Sequence, residues 1–478
     1  MKQAAVLGVV VVLAGGSLAV RYLRSNASES RLGDASVSLW DPTSGQDAEP
    51  LLDIEAGPEV PTRAMFDESR KEFLGQLFAP PDSATAEAKE ILANAAASFA
   101  GAAALDDAHI AALRPAADAI AALPEAPAPL LIAVDLVLRR TDGEMITRAA
   151  ILDRAASQSS APHPVIKLLA ESRRAYILRE DPALFPAALD RLADAVAATA
   201  LAPDVSTAAA RTTHAMIRDA ETIPGAEGLL AMIAARLAAA DPAETWLAHM
   251  LLGRFEIDEA WRARGTGYAG TVPEQAWQTF ADHLDAASDH LTAACTLAKD
   301  RPEAPTFMIT VTMGGGGGPD AMYPWFTSAV AAELDHMDGH NFLLHGLYPR
   351  WGGSHDHMYR FGLACSATKR FDTSVPYMLI GAVEQIAAEQ RSWSILDDET
   401  VVREVNTVLD GYLGRELAPA GVRQMLSRKL GFAWQTGDFD RAREAWQAAQ
   451  DQGIELDAQF LARFNLTLEQ IRARFAGE

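Results

Sequence analysis

The sequence predicts an all-α protein built from stacked antiparallel helix hairpins, preceded by an N-terminal membrane anchor. Alanine, the residue with the highest helix propensity, is abundant throughout the 478-residue chain. Short proline-containing breaks separate segments of roughly 12–18 residues, as expected where short loops join antiparallel helices. Runs of β-branched residues are scarce after the N-terminus. Together these observations predict mostly helix and almost no strand.

Residues 1–24 are predicted to form the membrane anchor. The run "AAVLGVVVVLAGGSLAV", residues 4–20, carries no charge. As a helix it would span roughly 25 Å, against a hydrocarbon core of ~30 Å. The alternative is a signal peptide cleaved near Ala19. Arg21 and Arg24 would then follow the cut and disfavour export, so we expect an uncleaved anchor in a bacterial inner membrane. The distribution of Lys and Arg favours a cytoplasmic over a periplasmic body, although the short N-terminal tail favours the reverse.

Three further regions follow the anchor. Residues 25–61 mix Ser, Asp, Glu, Gly and Pro without apolar periodicity, which predicts a flexible linker. Residues 62–240 form an alanine-rich helical region, cut by breaks such as "APPD", "LPEAPAP" and "IPGAEG". Residues 241–478, in which aromatic residues become more frequent, form the predicted helical-repeat region.

The start of the helical-repeat region has clear helix boundaries. The stretch "ETWLAHMLLGRFEIDEAWRAR" predicts a long helix that ends at Gly265, with Arg262 and Arg264 favourably placed in its last turn. Thr271 and Glu274 have the spacing of a capping box at the start of the next helix. That helix carries apolar residues at steps of three and four, which predicts one buried seam: Trp277, Phe280, Leu284, Ala287, Leu291 and Ala294.

Near the C-terminus, "RKLGFAWQTGDFDRAREAWQAAQ" resembles one tetratricopeptide unit, a pair of antiparallel helices that touch at small residues. Ala442, Trp446 and Ala449 stand where small, aromatic and small residues are usual. Three positions depart from the family pattern, where glycine, tyrosine and proline are usual: Leu430, Ala433 and Ile454. The resemblance implies a tetratricopeptide-like α-α superhelix.

A second resemblance covers about Ala243 to Ala367. It rests on "AWRARGTGYAGTVPEQAW", from Ala260 to Trp277, and on "LYPRWGGS", which ends at Ser354. Together these two elements resemble the bacterial family called domain of unknown function 4034. That resemblance implies a helical, tetratricopeptide-like fold. It implies no reaction, cofactor or catalytic residue.

Five of the eleven histidines lie in one short segment and raise the alternative of a metal site: His336, His340, His345, His355 and His357. Ligands on one helix need a spacing of three or four residues to share a face. His336 and His340 have that spacing, but Gly339 lies between them and the stretch "LDHMDG" is typical of a connection. His340 and His345 would lie roughly 140° apart on a helix, and His355 and His357 on nearly opposite faces. We therefore expect helix-edge and capping histidines, with no metal and no cofactor.

The element "YPRWGGS" predicts a tight turn followed by a helix. Gly352 and Gly353 allow the turn, and Ser354 would cap the next helix. Tryptophan and arginine are enriched where partners bind. The predicted partner-binding residues are therefore those of the two conspicuous Trp-Arg elements: Arg350, Trp351, Trp261 and Arg264.

The preferred function is a membrane-tethered helical-repeat scaffold that binds a protein or peptide partner, without catalysis. A formal charge of −23 argues against a nucleic-acid partner, since phosphate binding needs clustered Lys and Arg. Neither a Ser-His-Asp nor a Cys-His arrangement is recognisable. Two alternatives stay open at this point. One is a metal-dependent hydrolase that uses the histidine-rich segment 336–357, and the other is a structural protein of the cell envelope.

Overall fold

The regular secondary structure of the described chain is entirely helical. The computed structural model describes residues 48–101, 105–141, 143–158, 163–203, 205–240 and 245–475. Across these ranges there are 21 α-helices, three short 3-10 helices and no strand. The all-α prediction is confirmed for this part of the chain. The predicted anchor and most of the predicted linker, up to residue 47, lie outside it.

The predicted membrane-anchored location is wrong for the described residues. No helix among them is long and apolar enough to cross a membrane. The longest, Glu274–Leu297, has sufficient length but carries Asp282, Asp285 and Asp289. Charged side chains at that density are costly in hydrocarbon.

The described chain forms two compact units. Residues 61–311 are called the alanine-rich unit. Residues 312–475, together with residues 48–60, are called the C-terminal unit. The sequence also predicted domain boundaries after residues 61 and 240, and these stay predictions.

The alanine-rich unit contains eleven described helices and most of a twelfth. They are α1 (Arg63–Leu77), α2 (Ala86–Phe99), α3 (Asp107–Ala121), α4 (Ala128–Arg140), α5 (Met145–Ser157), α6 (Pro164–Leu178), α7 (Phe185–Ala200), α8 (Thr207–Glu221), α9 (Leu229–Ala239), α10 (Trp246–Arg264), α11 (Glu274–Leu297) and α12 (Glu303–Gly314).

Most helices in this unit pack against the next helix in the chain, and several also against the helix two further on. This is the contact pattern of successive hairpins. Alanines such as Ala95, Ala117 and Ala155 are fully buried where the helices meet, and their small side chains permit a close approach. One contact departs from a linear array: α1 packs against α8, where the Arg211 guanidinium lies 4.1 Å from the Phe66 ring centroid.

Buried ion pairs join several helices of the alanine-rich unit. The carboxylate of Asp135 on α4 is fully buried and accepts hydrogen bonds from Arg148 (2.8 Å) and Arg173 (2.5 Å). Glu171 on α6 is equally buried and pairs with Arg191 on α7. A buried carboxylate is tolerated only when such partners satisfy it. The ion pairs therefore fix which helices are neighbours.

The C-terminal unit contains the remaining helices. They are α13 (Pro319–Ala332), α14 (Met337–Gly346), α15 (His355–Ala367), α16 (Met378–Gln390), α17 (Glu399–Leu413), α18 (Pro419–Gln435), α19 (Phe439–Asp451), α20 (Ala458–Ala462) and α21 (Leu468–Phe475). The glycine-rich stretch after Met313 is a short connection between α12 and α13.

Aromatic contacts dominate the core of the C-terminal unit. Phe326 on α13 meets Phe361 on α15 edge to face, with the ring centroids 5.3 Å apart. Trp393 stacks on Phe464 at 4.3 Å, and Phe432 meets Phe464 edge to face at 5.5 Å. Such geometries add to the stabilisation that burial of the rings provides.

The helix pair α18 and α19 corresponds to the stretch that resembles a tetratricopeptide unit. Gly437 has φ +75° in the turn, and Asp438 caps α19 by accepting a hydrogen bond from the backbone N–H of Arg441 (3.1 Å). Ala442 and Ala449 are fully buried. The small residues therefore lie at helix contacts, as the resemblance implies.

The seam predicted on α11 is confirmed except at Trp277, which is half-exposed, and the predicted capping residue is wrong. Phe280, Leu284, Ala287, Leu291 and Ala294 are all buried. The predicted cap was wrong because the Thr271 hydroxyl donates to the carbonyl oxygen of Tyr268 (2.8 Å). Pro273 takes the capping position instead, and its side chain offers no hydrogen bond there.

Candidate partner-binding surfaces

The turn between α14 and α15 is closely packed against its own backbone. A 3-10 helix, Pro349–Trp351, leads to Gly352, which has φ +87°. A Cβ added at Gly353 would lie 2.1 Å from the carbonyl oxygen of Leu347. Both glycines are therefore needed, Gly352 for its left-handed backbone and Gly353 for the close approach.

Arg350 and Trp351, two of the predicted partner-binding residues, are engaged within the C-terminal unit. The Arg350 guanidinium donates to Glu389 on α16 (2.7 Å) and lies over the Tyr348 ring at 4.4 Å. Trp351 is half-buried, and its Nε1–H donates to Nε2 of His345 (3.0 Å). These contacts attach the turn to α14 and α16.

Ser354 is the N-cap residue of α15. Its hydroxyl oxygen accepts a hydrogen bond from the backbone N–H of His357 (3.0 Å) and lies 3.0 Å from the Nδ1 atom of the same histidine. His355 is buried: its Nδ1 lies 3.3 Å from Nε2 of Gln390, and its Nε2 lies 3.9 Å from Glu389. The prediction of a helix-edge position is wrong for His355, because its burial depends on two residues of α16 that are distant in the sequence.

The other three histidines of the segment have separate surroundings. His340 is fully buried, and its Nδ1 donates to the carbonyl oxygen of His336 (3.1 Å). Burial lowers the pKa of His340 to about 4. Burial also lowers the pKa of His345 to about 3, and Arg350 adds to that effect. The lone pair of His345 Nε2 accepts from Trp351, so it points at an N–H group.

The structure does not gather these histidines into a metal centre. Among the described residues, no group of three or more His, Cys, Asp or Glu side chains is placed to hold a metal ion. His336 lies 3.8 Å from Glu333, on the preceding turn.

Trp261 and Arg264, the other predicted pair, lie in the alanine-rich unit at one end of the α10–α11 hairpin. Phe280 is buried beneath them and meets Trp261 edge to face at 5.1 Å and Trp277 at 5.6 Å. The Arg264 guanidinium lies 5.7 Å from the Trp261 ring centroid and 5.2 Å from that of Trp277. Both tryptophans are half-exposed.

Arg264 also organises the loop that follows α10. Its guanidinium donates to the carbonyl oxygens of Gly265 (3.1 Å) and Gly267 (3.3 Å). The loop holds Tyr268, whose side chain is 52% exposed. We call the four side chains the Trp-Arg surface: Trp261, Arg264, Tyr268 and Trp277. Sequence reasoning found the first and second, but it assigned Trp277 to the buried seam and missed Tyr268.

A cavity of about 460 Å³ lies elsewhere in the alanine-rich unit, and its lining includes His163, Lys167, Glu171 and Arg191. Burial raises the pKa of Glu171, and the ion pair with Arg191 opposes that shift. Arg191 also pairs with Asp153 on α5. The buried charges around this cavity are thus matched within the unit.

Comparisons with known proteins add little to this description. No protein-family model and no curated protein sequence matches the chain. Among solved structures, the chain is similar to human IFIT1, described as a dimer with m7Gppp-AAAA. The identity is 10%, the TM-score is 0.22, and the alignment covers 83% of this chain and 97% of that one. A TM-score this low supports no conclusion about fold or ligand.

Proposed function

We propose that the chain is a tetratricopeptide-like helical scaffold, the fold that its resemblance to domain of unknown function 4034 implies, and that it binds a protein or peptide partner. The observation that carries the proposal is the Trp-Arg surface. Tryptophan, tyrosine and arginine dominate the residues that contribute most to binding at protein interfaces. Here two tryptophans and an arginine form one cluster, and that arginine also holds the loop that carries Tyr268.

The geometry of this surface suits binding because it is rigid before a partner arrives. Phe280 fixes both tryptophans from below, and Arg264 links the two rings to the loop of Tyr268. Side chains already held in place lose little conformational entropy on association. The partner would bury the exposed Tyr268 ring together with the outer faces of Trp261 and Trp277.

Arg350 and Trp351, the other predicted pair, do not make the primary contact in this proposal. Their bonds to Glu389 and His345 would have to break or be covered before a partner could use them. The Trp-Arg surface needs no such rearrangement, and we therefore place the primary contact there.

A photo-cross-linking amino acid at Tyr268 tests the proposal in the native cell. The matched control is Tyr176, which is 44% exposed and lies under the Arg179 guanidinium at 4.1 Å in the same unit. We expect one defined protein cross-linked from position 268 and none from position 176. Equal cross-linking from both positions would count against a specific surface.

The purified partner then allows a quantitative check. Tyr268→Ala should weaken its binding by roughly 2 kcal/mol, as for other central aromatic contacts, and Tyr176→Ala should leave it unchanged. Binding that is insensitive to Tyr268→Ala and Arg264→Ala would refute the assignment of this surface.

A further inference from the structure

The C-terminal unit already holds an extended peptide, a segment of its own chain. Residues 48–60, "AEPLLDIEAGPEV", contain no helix and no strand, and we call them the N-terminal strap. The backbone N–H of Leu51 donates to the carbonyl oxygen of Arg360 on α15 (3.0 Å). In return, Arg360 Nε donates to the carbonyl oxygen of Glu49 (2.8 Å). The strap therefore crosses α15 in a fixed register.

A second arginine holds the other end of the strap. Arg370 donates to the carbonyl oxygens of Ala56 (3.3 Å) and Gly57 (3.2 Å). Asp372 orients the same guanidinium through hydrogen bonds of 2.9 Å. Arg360 and Arg370 together form what we call the arginine clamp.

The turn that carries Arg370 is itself rigid. Phe371 packs edge to face against Tyr412, with the centroids 5.2 Å apart. A Cβ at Gly411 would lie 2.3 Å from Cζ of Phe371, so α17 leaves room for this ring only through a glycine. Lys369 adopts φ +53°, a conformation that non-glycine residues seldom take. A clamp fixed in this way binds backbone at low entropic cost.

These hydrogen bonds all involve the backbone of the strap. Ile54 is its buried apolar residue near the centre, and Leu51 and Leu52 are half-buried. The acidic side chains of the strap are exposed: Glu49, Asp53, Glu55 and Glu59. Backbone bonds combined with a few apolar anchors are the usual basis of extended-peptide recognition, and such recognition accepts more than one sequence.

We infer that the arginine clamp is a second peptide-binding site, and that the strap is its resident intramolecular ligand. Its external ligand is an extended peptide with aliphatic residues in the Leu-Leu-x-Ile pattern of the strap. The two arginines bind backbone carbonyl oxygens, and the aliphatic pattern is the one the site already buries. This site lies in the C-terminal unit, so it stands independently of the Trp-Arg surface proposed above.

The strap reduces the affinity of the site for any external peptide. A site that is open only part of the time binds with an apparent affinity lowered by its open fraction. Weakening the strap should therefore tighten external binding, and weakening the clamp should abolish it. Two opposite effects on one equilibrium distinguish this mechanism from general loss of structure.

The test uses the full chain and a fluorescent peptide with the sequence of residues 48–60, measured by fluorescence anisotropy. Ile54→Asp removes the anchor, and Leu51→Pro removes the N–H that donates to Arg360. We expect each to bind the peptide at least about tenfold more tightly than the wild type. Adding Arg370→Ala to Ile54→Asp should weaken binding by about tenfold or more, since two hydrogen bonds from a charged donor are lost. Circular dichroism should show unchanged helix content in all variants.

Controls separate the site from adventitious peptide binding. A peptide that itself carries the Ile54→Asp change should bind at least about tenfold more weakly to the opened protein. Arg179→Ala, which removes a half-exposed arginine of the other unit, should have no effect. Equal peptide binding by wild type and opened variants would overturn the proposal, and so would binding indifferent to Arg370→Ala. Dimerisation of the opened variant without peptide binding would instead assign the surface to a second copy of the chain and would also refute it.

Discussion

The two units pack their helices together with different kinds of residue. The alanine-rich unit brings helices close together with small side chains and joins them through buried carboxylate–arginine pairs such as Asp135 with Arg148 and Arg173. The C-terminal unit places aromatic rings between its helices, as Phe326 and Phe361 show. Burial of apolar area stabilises the folded state without directional constraint, whereas a buried charge must lie against an oppositely charged partner. We therefore expect the two units to respond differently to substitution and to pH.

The largest effect should come from the ion pairs of the alanine-rich unit. Asp135→Ala leaves two largely buried arginines without their carboxylate and should lower the free energy of unfolding by about 3–5 kcal/mol. Urea denaturation measures this. Asp107→Ala is the matched control, because that carboxylate is 91% exposed although it also faces an arginine, Arg140. Its loss should cost less than about 1 kcal/mol. Similar values for both would show that burial of the pair does not matter.

Phe361→Ala probes the aromatic core of the C-terminal unit. The ring is fully buried against Phe326, and its removal should also cost about 3–5 kcal/mol, here as lost apolar contact and a new cavity. Phe361→Leu should recover more than half of the loss, because shape matters less than volume in an apolar core. No leucine rescue would mean that specific ring geometry, rather than burial, stabilises this unit.

The next effect is a pH dependence to which His340 of the C-terminal unit contributes. The pKa of His340 is lowered to about 4 in the folded chain, against an ordinary value near 6.5. The unfolded chain thus binds a proton more readily between these values. The contribution of His340 to the free energy of unfolding is fully present above about pH 6.5. It is lost as the pH falls towards 4, by roughly 2–4 kcal/mol.

His340→Asn checks this assignment because its amide can still donate to the His336 carbonyl oxygen. Denaturation curves from pH 7 to pH 4 should show a shallower loss for this variant. Part of the slope should remain, since His345 titrates in the same direction. The control is His109→Asn. Asp106 raises the pKa of that exposed histidine, so its contribution has the opposite sign. An unchanged profile in His340→Asn would contradict the assignment.

Gly353→Ala should have a smaller effect, about 1–3 kcal/mol of destabilisation, because the new methyl group would collide with the Leu347 backbone. Gly381→Ala on α16 is the matched control. It meets no atom within 4 Å and should stabilise the chain by about 0.5–1 kcal/mol through its helix propensity. Thermal melting measures both effects, because the two variants should shift the melting temperature in opposite directions.

The smallest effect concerns the bond between Trp351 and His345. Trp351→Phe removes the Nε1–H donor and should cost about 1 kcal/mol. Trp446→Phe, at another half-exposed tryptophan, should stay within about 0.5 kcal/mol. Equal melting temperatures for the two variants would show that the hydrogen bond contributes nothing measurable.

Features set by local periodicity were predictable from the sequence. The buried face of α11 follows from apolar residues at steps of three and four, and the end of α10 follows from Gly265. Thr271 failed as a cap because a competing acceptor, the carbonyl oxygen of Tyr268, lies within its reach. The local backbone geometry determines which group the hydroxyl bonds, and the spacing of residues in the sequence does not specify that geometry.

Features set by distant contacts could not be predicted in this way. The burial of His355 depends on α16, and the exposure of Tyr268 depends on how Arg264 folds its loop. Residues 48–60 have the composition of a flexible linker, and nothing in their own sequence indicates Arg360 or Arg370. The sequence therefore predicted only part of the candidate sites. It indicated Trp261 and Arg264, but it did not indicate the arginine clamp.

The strap has a consequence for the order of events during synthesis. Glu49 and Arg360, which its hydrogen bond joins, are 311 residues apart in the chain. At about 5–20 residues per second, a ribosome needs roughly 15–60 s to add the residues between them. For most of that interval the strap has left the ribosome while α15 does not yet exist. The earliest described segment of the chain is thus among the last to reach its native position, and nascent-chain factors have first access to it.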